Sequence, residues 1–269
     1  MKNTRSTVLA LAASLALVTN SLFGGAVLVG FDSNSLAAND DGSTGFVNFG
    51  LGNLNFFGTN YNGAYLNNNG NMTFSFALGT YTPSAITGST NNPMIASFFA
   101  DVDTRGAGSG LMQYGNGTFG GRNAFGQTWR NVGYYYLGMD KINTFQTLLV
   151  DRSDIASGDF DIYFNYDTIQ WETGDASGGS GGLGGVSAYA GFTNGAGSYY
   201  QLAGSGVNGA LIDGGANALS TNSLNNSVSG RYLFTVRNGV VHSTPDSGSV
   251  IAMLGLALAA LTFAKRKLG

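Results

Sequence analysis

The stretch Asp159-Phe160-Asp161-Ile162-Tyr163-Phe164-Asn165-Tyr166-Asp167-Thr168 decides the fold class. Phe160, Ile162, Phe164 and Tyr166 fall on one side of an extended chain. Asp159, Asp161, Tyr163, Asn165 and Asp167 fall on the other. Successive side chains of a strand point to opposite faces, so this pattern predicts a half-buried antiparallel strand. Arg231 to Arg237 repeats it, with Tyr232, Phe234 and Val236 inward and Arg231, Thr235 and Arg237 outward. Asn143 to Val150 is more apolar on both faces and reads as a central strand. Further candidates are Met72–Phe76, Met94–Ala100, Phe125–Tyr136 and Val186–Phe192. Tyr65-Leu66, the Asn-rich turn 67–71 and Met72-Thr73-Phe74 read as a hairpin. No segment between the termini keeps a 3.6-residue apolar period. The expected fold is all-β, a single antiparallel sandwich or barrel-like domain flanked by an N-terminal signal helix and a short C-terminal hydrophobic helix.

Composition supports a turn-rich β protein. The chain has 269 residues, 43 of them glycine and 27 asparagine. Glycine is thus more than twice its usual ~7%, and both residues suit turns with positive φ. Three prolines and no G-X-Y period exclude collagen. Zero cysteines exclude disulfides, thiol nucleophiles and zinc–thiolate sites. The single histidine, His242, sits in an expected exposed tether and is no basis for a catalytic triad.

The two ends read as processing segments. Lys2 and Arg5, an apolar run from Val8 to Val18 and the small residues Gly24-Gly25-Ala26 describe a secretory signal peptide over 1–26. Residues 27–64 lead into the β domain at 65–238. Residues 239–249 are expected to be a linker carrying Pro245-Asp246-Ser247-Gly248. Apolar residues 250–264 would make a helix of about 22 Å at ~1.5 Å per residue, short for a ~30 Å hydrocarbon core. Lys265, Arg266 and Lys267 then orient this membrane segment with its basic tail, 265–269, in the cytoplasm. Without these termini, seven basic side chains face fifteen acidic ones, a formal charge of −8 rather than the −3 of the whole chain. Nucleic-acid binding, which needs basic clusters, is disfavoured.

The C-terminal layout of Pro-Asp-Ser-Gly, apolar stretch and basic cluster resembles the VPDSG-CTERM sorting signal, a PEP-CTERM variant, with Thr244 at the usual valine. The resemblance implies an exosortase-like membrane transpeptidase as partner and delivery to the envelope or extracellular matrix of a Gram-negative-type bacterium. Between residues 65 and 238 the chain resembles the extracellular nidogen-like (NIDO) domain. Seven segments in order carry this: Asn69–Phe74, Pro93–Thr104 (with Ser97 at a usual proline), Trp129–Tyr134, Asn143–Gln146, Phe164–Gly174, Ala190–Phe192 and Gly230–Phe234. The family implies a non-enzymatic matrix or adhesion protein and transfers no catalytic residues.

Chemistry could sit in two places. Asp101 and Asp103 share a strand face beside Arg105 and are candidate Ca²⁺ ligands, since calcium takes six to eight oxygens. The alternative is that both accept hydrogen bonds in the turn or pair with Arg105. Trp171, Glu172 and Asp175 precede the loop Gly178–Gly185. They are candidate sugar-binding residues, Trp stacking and carboxylates accepting hydroxyl hydrogen bonds, or else a core cap and turn. Trp129 reads as core. The leading expectation is adhesion or scaffolding among extracellular polysaccharide or matrix protein. The rivals are a calcium-dependent lectin-like module and, further off, a glycoside hydrolase, which would need two carboxylates ~5–9.5 Å apart across a groove.

Overall fold

In the computed structural model, which describes residues 25–87 and 90–243, the alternating stretch becomes a strand near the middle of the larger of two sheets. Sixteen strands are numbered in chain order. The larger sheet runs β1 (Asn34–Ser35), β9 (Met112–Phe119), β10 (Arg122–Tyr134), β11 (Gly138–Asp151), β12 (Phe160–Ile169), β15 (Arg231–Arg237) and β16 (Val240–His242). β8 (Val102–Asp103) pairs with the end of β10. The smaller sheet runs β14 (Tyr199–Gln201), β13 (Tyr189–Thr193), β7 (Met94–Phe99), β6 (Asn71–Thr73), β5 (Gly63–Asn67) and β2 (Ser43–Asn48). β3 (Leu54–Phe56) and β4 (Thr59–Tyr61) form a separate hairpin. Every strand pairing within these sheets is antiparallel. Residues 1–24 of the expected signal peptide, the sorting motif and the C-terminal membrane segment lie outside the described residues, whereas Ala26, placed at the end of the expected signal peptide, is buried in the domain.

The sheets face each other across an aromatic core. Phe98 of β7 lies 5.3 Å from Phe145 of β11, and Phe192 of β13 lies 5.1 Å from Phe234 of β15. Trp129 stacks on Phe145 at 4.6 Å. Such pairs contribute beyond their buried area. Polar atoms also bridge the layers. Ser97 shares a hydroxyl hydrogen bond of 2.9 Å with Thr147, and its carbonyl accepts the Tyr166 hydroxyl at 2.6 Å.

The expected half-buried strand is instead covered on both faces. Phe160, Ile162, Phe164 and Tyr166 face the sandwich core, but Asp161, Asn165 and Arg231 are buried too. Part of the cover is the segment 26–31. Arg231 donates to the Ala26 carbonyl at 2.8 Å and Arg130 to the Leu28 carbonyl at 2.7 Å, while Phe31 packs with Ala124, Leu148 and Val150. Alternation marks which side chains face each way; it does not say what lies over the polar side. A second difference is at the C-terminal end. Residues 240–242 pair with β15, so His242 sits on an edge strand rather than in a free tether.

The Asn-rich turn is the least expected feature. It joins β5 to β6 as the hairpin requires, with Asn67 opposite Asn71. Yet residues 66–74 are all buried. Asn67 donates to Asn71 Oδ1 and Thr73 Oγ1, Asn68 to the carbonyls of Asp40 and Val102, and Asn69 to Asp41 Oδ1. Trp129 Nε1 and Gln127 Nε2 donate back to the turn's own carbonyls. Gly70 has φ +76°, and a Cβ there would meet the Phe98 carbonyl oxygen at 1.6 Å.

Three outcomes follow for urea unfolding of the full chain. Gly70→Ala should destabilise by about 4 kcal/mol or more, since neither backbone can yield. Gly30→Ala, at φ +86° with open space around it, should lose only about 1–2 kcal/mol. Phe31→Ala should lose about 3 kcal/mol by stripping the cover from the outer face of the large sheet.

Candidate functional site

The strand expected over Met94–Ala100 ends at Phe99, and Ala100 and Asp101 lie in a break between β7 and β8. This break separates the two aspartates. Asp103 accepts Arg105 through its backbone N–H at 3.0 Å, Nε at 2.9 Å and Nη2 at 2.8 Å, and the Leu137 N–H at 3.1 Å. Burial alone would raise its carboxyl, but hydrogen bonds from Arg105 and Leu137 hold it below its ordinary value.

Asp101 is different. It is 1% exposed, and neither carboxylate oxygen has a hydrogen-bond donor. Its neighbours are Asp40 and Asp41, from the lead-in turn that is closed by Asn39 Oδ1 accepting the Gly42 N–H at 2.7 Å. One carboxylate oxygen from each of Asp40, Asp41 and Asp101 lies within 4.8 Å of the others. Burial, reinforced by the like charges of Asp40, Asp41 and Asp103, pushes the Asp101 carboxyl up to about 7. Burial and the charges of Asp41 and Asp103 push Asp40 to about 6, although Arg105 Nη2 reaches its Oδ2 at 3.0 Å. The structure therefore gathers Asp101 with Asp40 and Asp41, where strand alternation had paired it with Asp103. The Asp40-Asp41 doublet in a turn was the available signal, but sixty residues of chain separate it from Asp101.

The second candidate group does not face solvent as a unit. Trp171 is fully buried, donates from Nε1 to the Val132 carbonyl at 3.0 Å and meets Phe98 edge-on at 5.7 Å. Asn143 fixes it, accepting the Gln170 and Trp171 N–H groups and donating to the Trp171 carbonyl. Glu172 is 1% exposed and accepts the Gly209 N–H on both oxygens at 2.8 Å; burial raises its carboxyl. Only Asp175 is exposed, at the start of a short 3₁₀ turn, Asp175–Ser177. Trp171 thus caps the core and offers no ring to a sugar. Trp129 is buried likewise. A shallow groove elsewhere is lined by Phe57, Tyr199, Tyr200 and Val241 beside the buried Phe192, with Tyr199 its exposed aromatic ring. The sequence reading missed it, because Tyr199-Tyr200 forms an edge strand too short to show alternation.

Comparison with known proteins places this geometry. The family model for the nidogen-like domain matches residues 62–238, which hold the aromatic core, the buried turn and Asp101. The chain belongs to the nidogen-like domain family. A second model, the VPDSG-CTERM motif, matches residues 245–268. Among curated relatives, mouse alpha-tectorin is 34% identical over 178 residues, covering 58% of this chain and 8% of that protein. Chicken alpha-tectorin is 33% identical over the same length. Nidogen of Drosophila melanogaster is 29% identical over 211 residues, 68% of this chain and 14% of that protein. The chain therefore spans only a small fraction of the length of these relatives. No solved structure matches it significantly. The nidogen-like domain and the C-terminal motif together fit an exported extracellular protein. Among the described residues no helix is long and apolar enough to cross a membrane.

The buried indoles give a direct check. Acrylamide should quench the fluorescence of Trp129 and Trp171 only weakly in the folded chain and strongly in urea, and added oligosaccharides should leave the emission unchanged.

Proposed function

We propose that this chain is a non-enzymatic surface or matrix protein, delivered to the extracellular polymer layer by an exosortase-type transpeptidase acting on its C-terminal signal. The observation that carries the reading is the succession in one chain of a nidogen-like domain ending at 238 and a sorting motif starting at 245. The domain would act by adhesion or scaffolding, through loops at the strand ends held by a rigid sandwich. Tail residues 250–264 would serve as a transient membrane stop, with Lys265, Arg266 and Lys267 holding the cytoplasmic side. The buried, backbone-bonded state of Glu172 and the Arg105-bound state of Asp103 argue against a glycosidase pair at these positions.

Carbohydrate recognition is a second reading, favoured by one observation. The groove at Phe57, Tyr199 and Tyr200 presents an exposed ring, Tyr199, beside the half-buried Phe57 and Tyr200. Aromatic faces suit stacking against the apolar face of a sugar.

The sorting claim is tested by replacing Pro245 and Asp246 with alanine together. The variant should accumulate in the inner-membrane fraction at the mass of the uncut tail. Normal processing and release of that variant would overturn it.

A further inference from the structure

We propose that Asp40, Asp41 and Asp101 form a binding site for one divalent cation of the calcium class, which clamps the lead-in turn onto the junction between β7 and β8. The argument starts from Asp101. A carboxylate taken from water needs donors or a counter-charge, and this one is 1% exposed with both oxygens unpartnered. Other buried acids of the domain show the usual solutions. Asp161 is bound by Arg152 and Arg237, Asp103 by Arg105, and Glu172 by a backbone N–H. Asp101 has instead two more carboxylates within 4.8 Å. Asp40 also leaves Oδ1 unpartnered, its other oxygen being taken by Arg105.

The surroundings preserve the space. At Gly174, a Cβ would come within 2.3 Å of Asp101 Oδ2, so only glycine lets the chain pass this close to the carboxylate. Asn68, which is fully buried, donates to the backbone carbonyls of Asp40 and Val102 and leaves its own Oδ1 without a donor. The donor set of the site is oxygen only. That disfavours zinc and copper, which prefer nitrogen and sulfur, and suits calcium or magnesium. Calcium accepts irregular cages completed by water, whereas magnesium demands a near-ideal octahedron. Three carboxylates and solvent place the affinity with extracellular calcium modules, at about 0.1–1 mM. A bound ion would join segments sixty residues apart in a chain that has no cysteine to do so.

The test uses the full chain, purified in mild detergent and stripped with EDTA. Calcium alone at about 10 mM should raise the melting temperature by about 2–6 °C, magnesium less, and sodium chloride of equal ionic strength not at all. Calorimetry should count one calcium per chain. Asp101→Asn should abolish the rise while leaving the metal-free protein at least as stable as wild type, because it removes an unpaired buried charge. Asp103→Asn should lower stability with and without calcium yet keep the rise. Should Asp101→Asn not fold, Asp40→Asn must weaken calcium binding at least tenfold. No rise in the wild type, an equal rise with sodium chloride, or a rise that survives Asp101→Asn would overturn the proposal; so would unchanged affinity in Asp40→Asn.

Discussion

A tight turn buried inside a protein needs partners for its polar atoms, and the turn Asn67-Asn68-Asn69-Gly70-Asn71 imposes that condition here, with Asn68 Oδ1 the side-chain atom left unmet. Its side chains hold the lead-in through Asp40 and Asp41 and the start of β8 through Val102. Its carbonyls hold β10 through Gln127 and Trp129. Gly70 lets β7 pass over it, with the Phe98 N–H donating to the Gly70 carbonyl at 3.1 Å. Both sheets are therefore tied to one hairpin. Asparagine suits the role because each side chain both donates and accepts, so one residue can bridge two elements.

The same turn explains where the acids gather. Asn68 and Asn69 draw Asp40 and Asp41 inward, and Asn69 Oδ1 accepts the Val102 N–H one residue after Asp101. Three carboxylates converge because the backbone around them is fixed by amides. Elsewhere buried charge is answered locally, by arginine on Asp103 and Asp161 or by a backbone N–H on Glu172. The net acidity of the exported part is thus not spread evenly over a solvated surface. Part of it is used inside the fold.

How much was legible depended on the range of the interaction. Period-two alternation at 159–168 and 231–237 located β12 and β15 within a residue or so. The Asn/Gly turn located the β5–β6 hairpin. Residue order across seven segments was enough for the family, and the Pro-Asp-Ser-Gly layout for the tail motif. Burial of the polar faces was not legible. Asp161, Asn165 and Arg231 look like solvent residues in any local window, and segments such as 26–31, far away in sequence, cover that face.

The sequence by itself therefore determined several of the core strands, among them β7, β10, β11, β12 and β15, together with the antiparallel class, the family and the C-terminal motif, because each rests on neighbours along the chain. Only the tertiary structure decided which carboxylates meet, that Trp171 is core rather than platform, and that the Asn-rich turn lies inside. Those outcomes depend on which distant segment supplies a partner or a cover. A strand's own period specifies direction, not what it finds there.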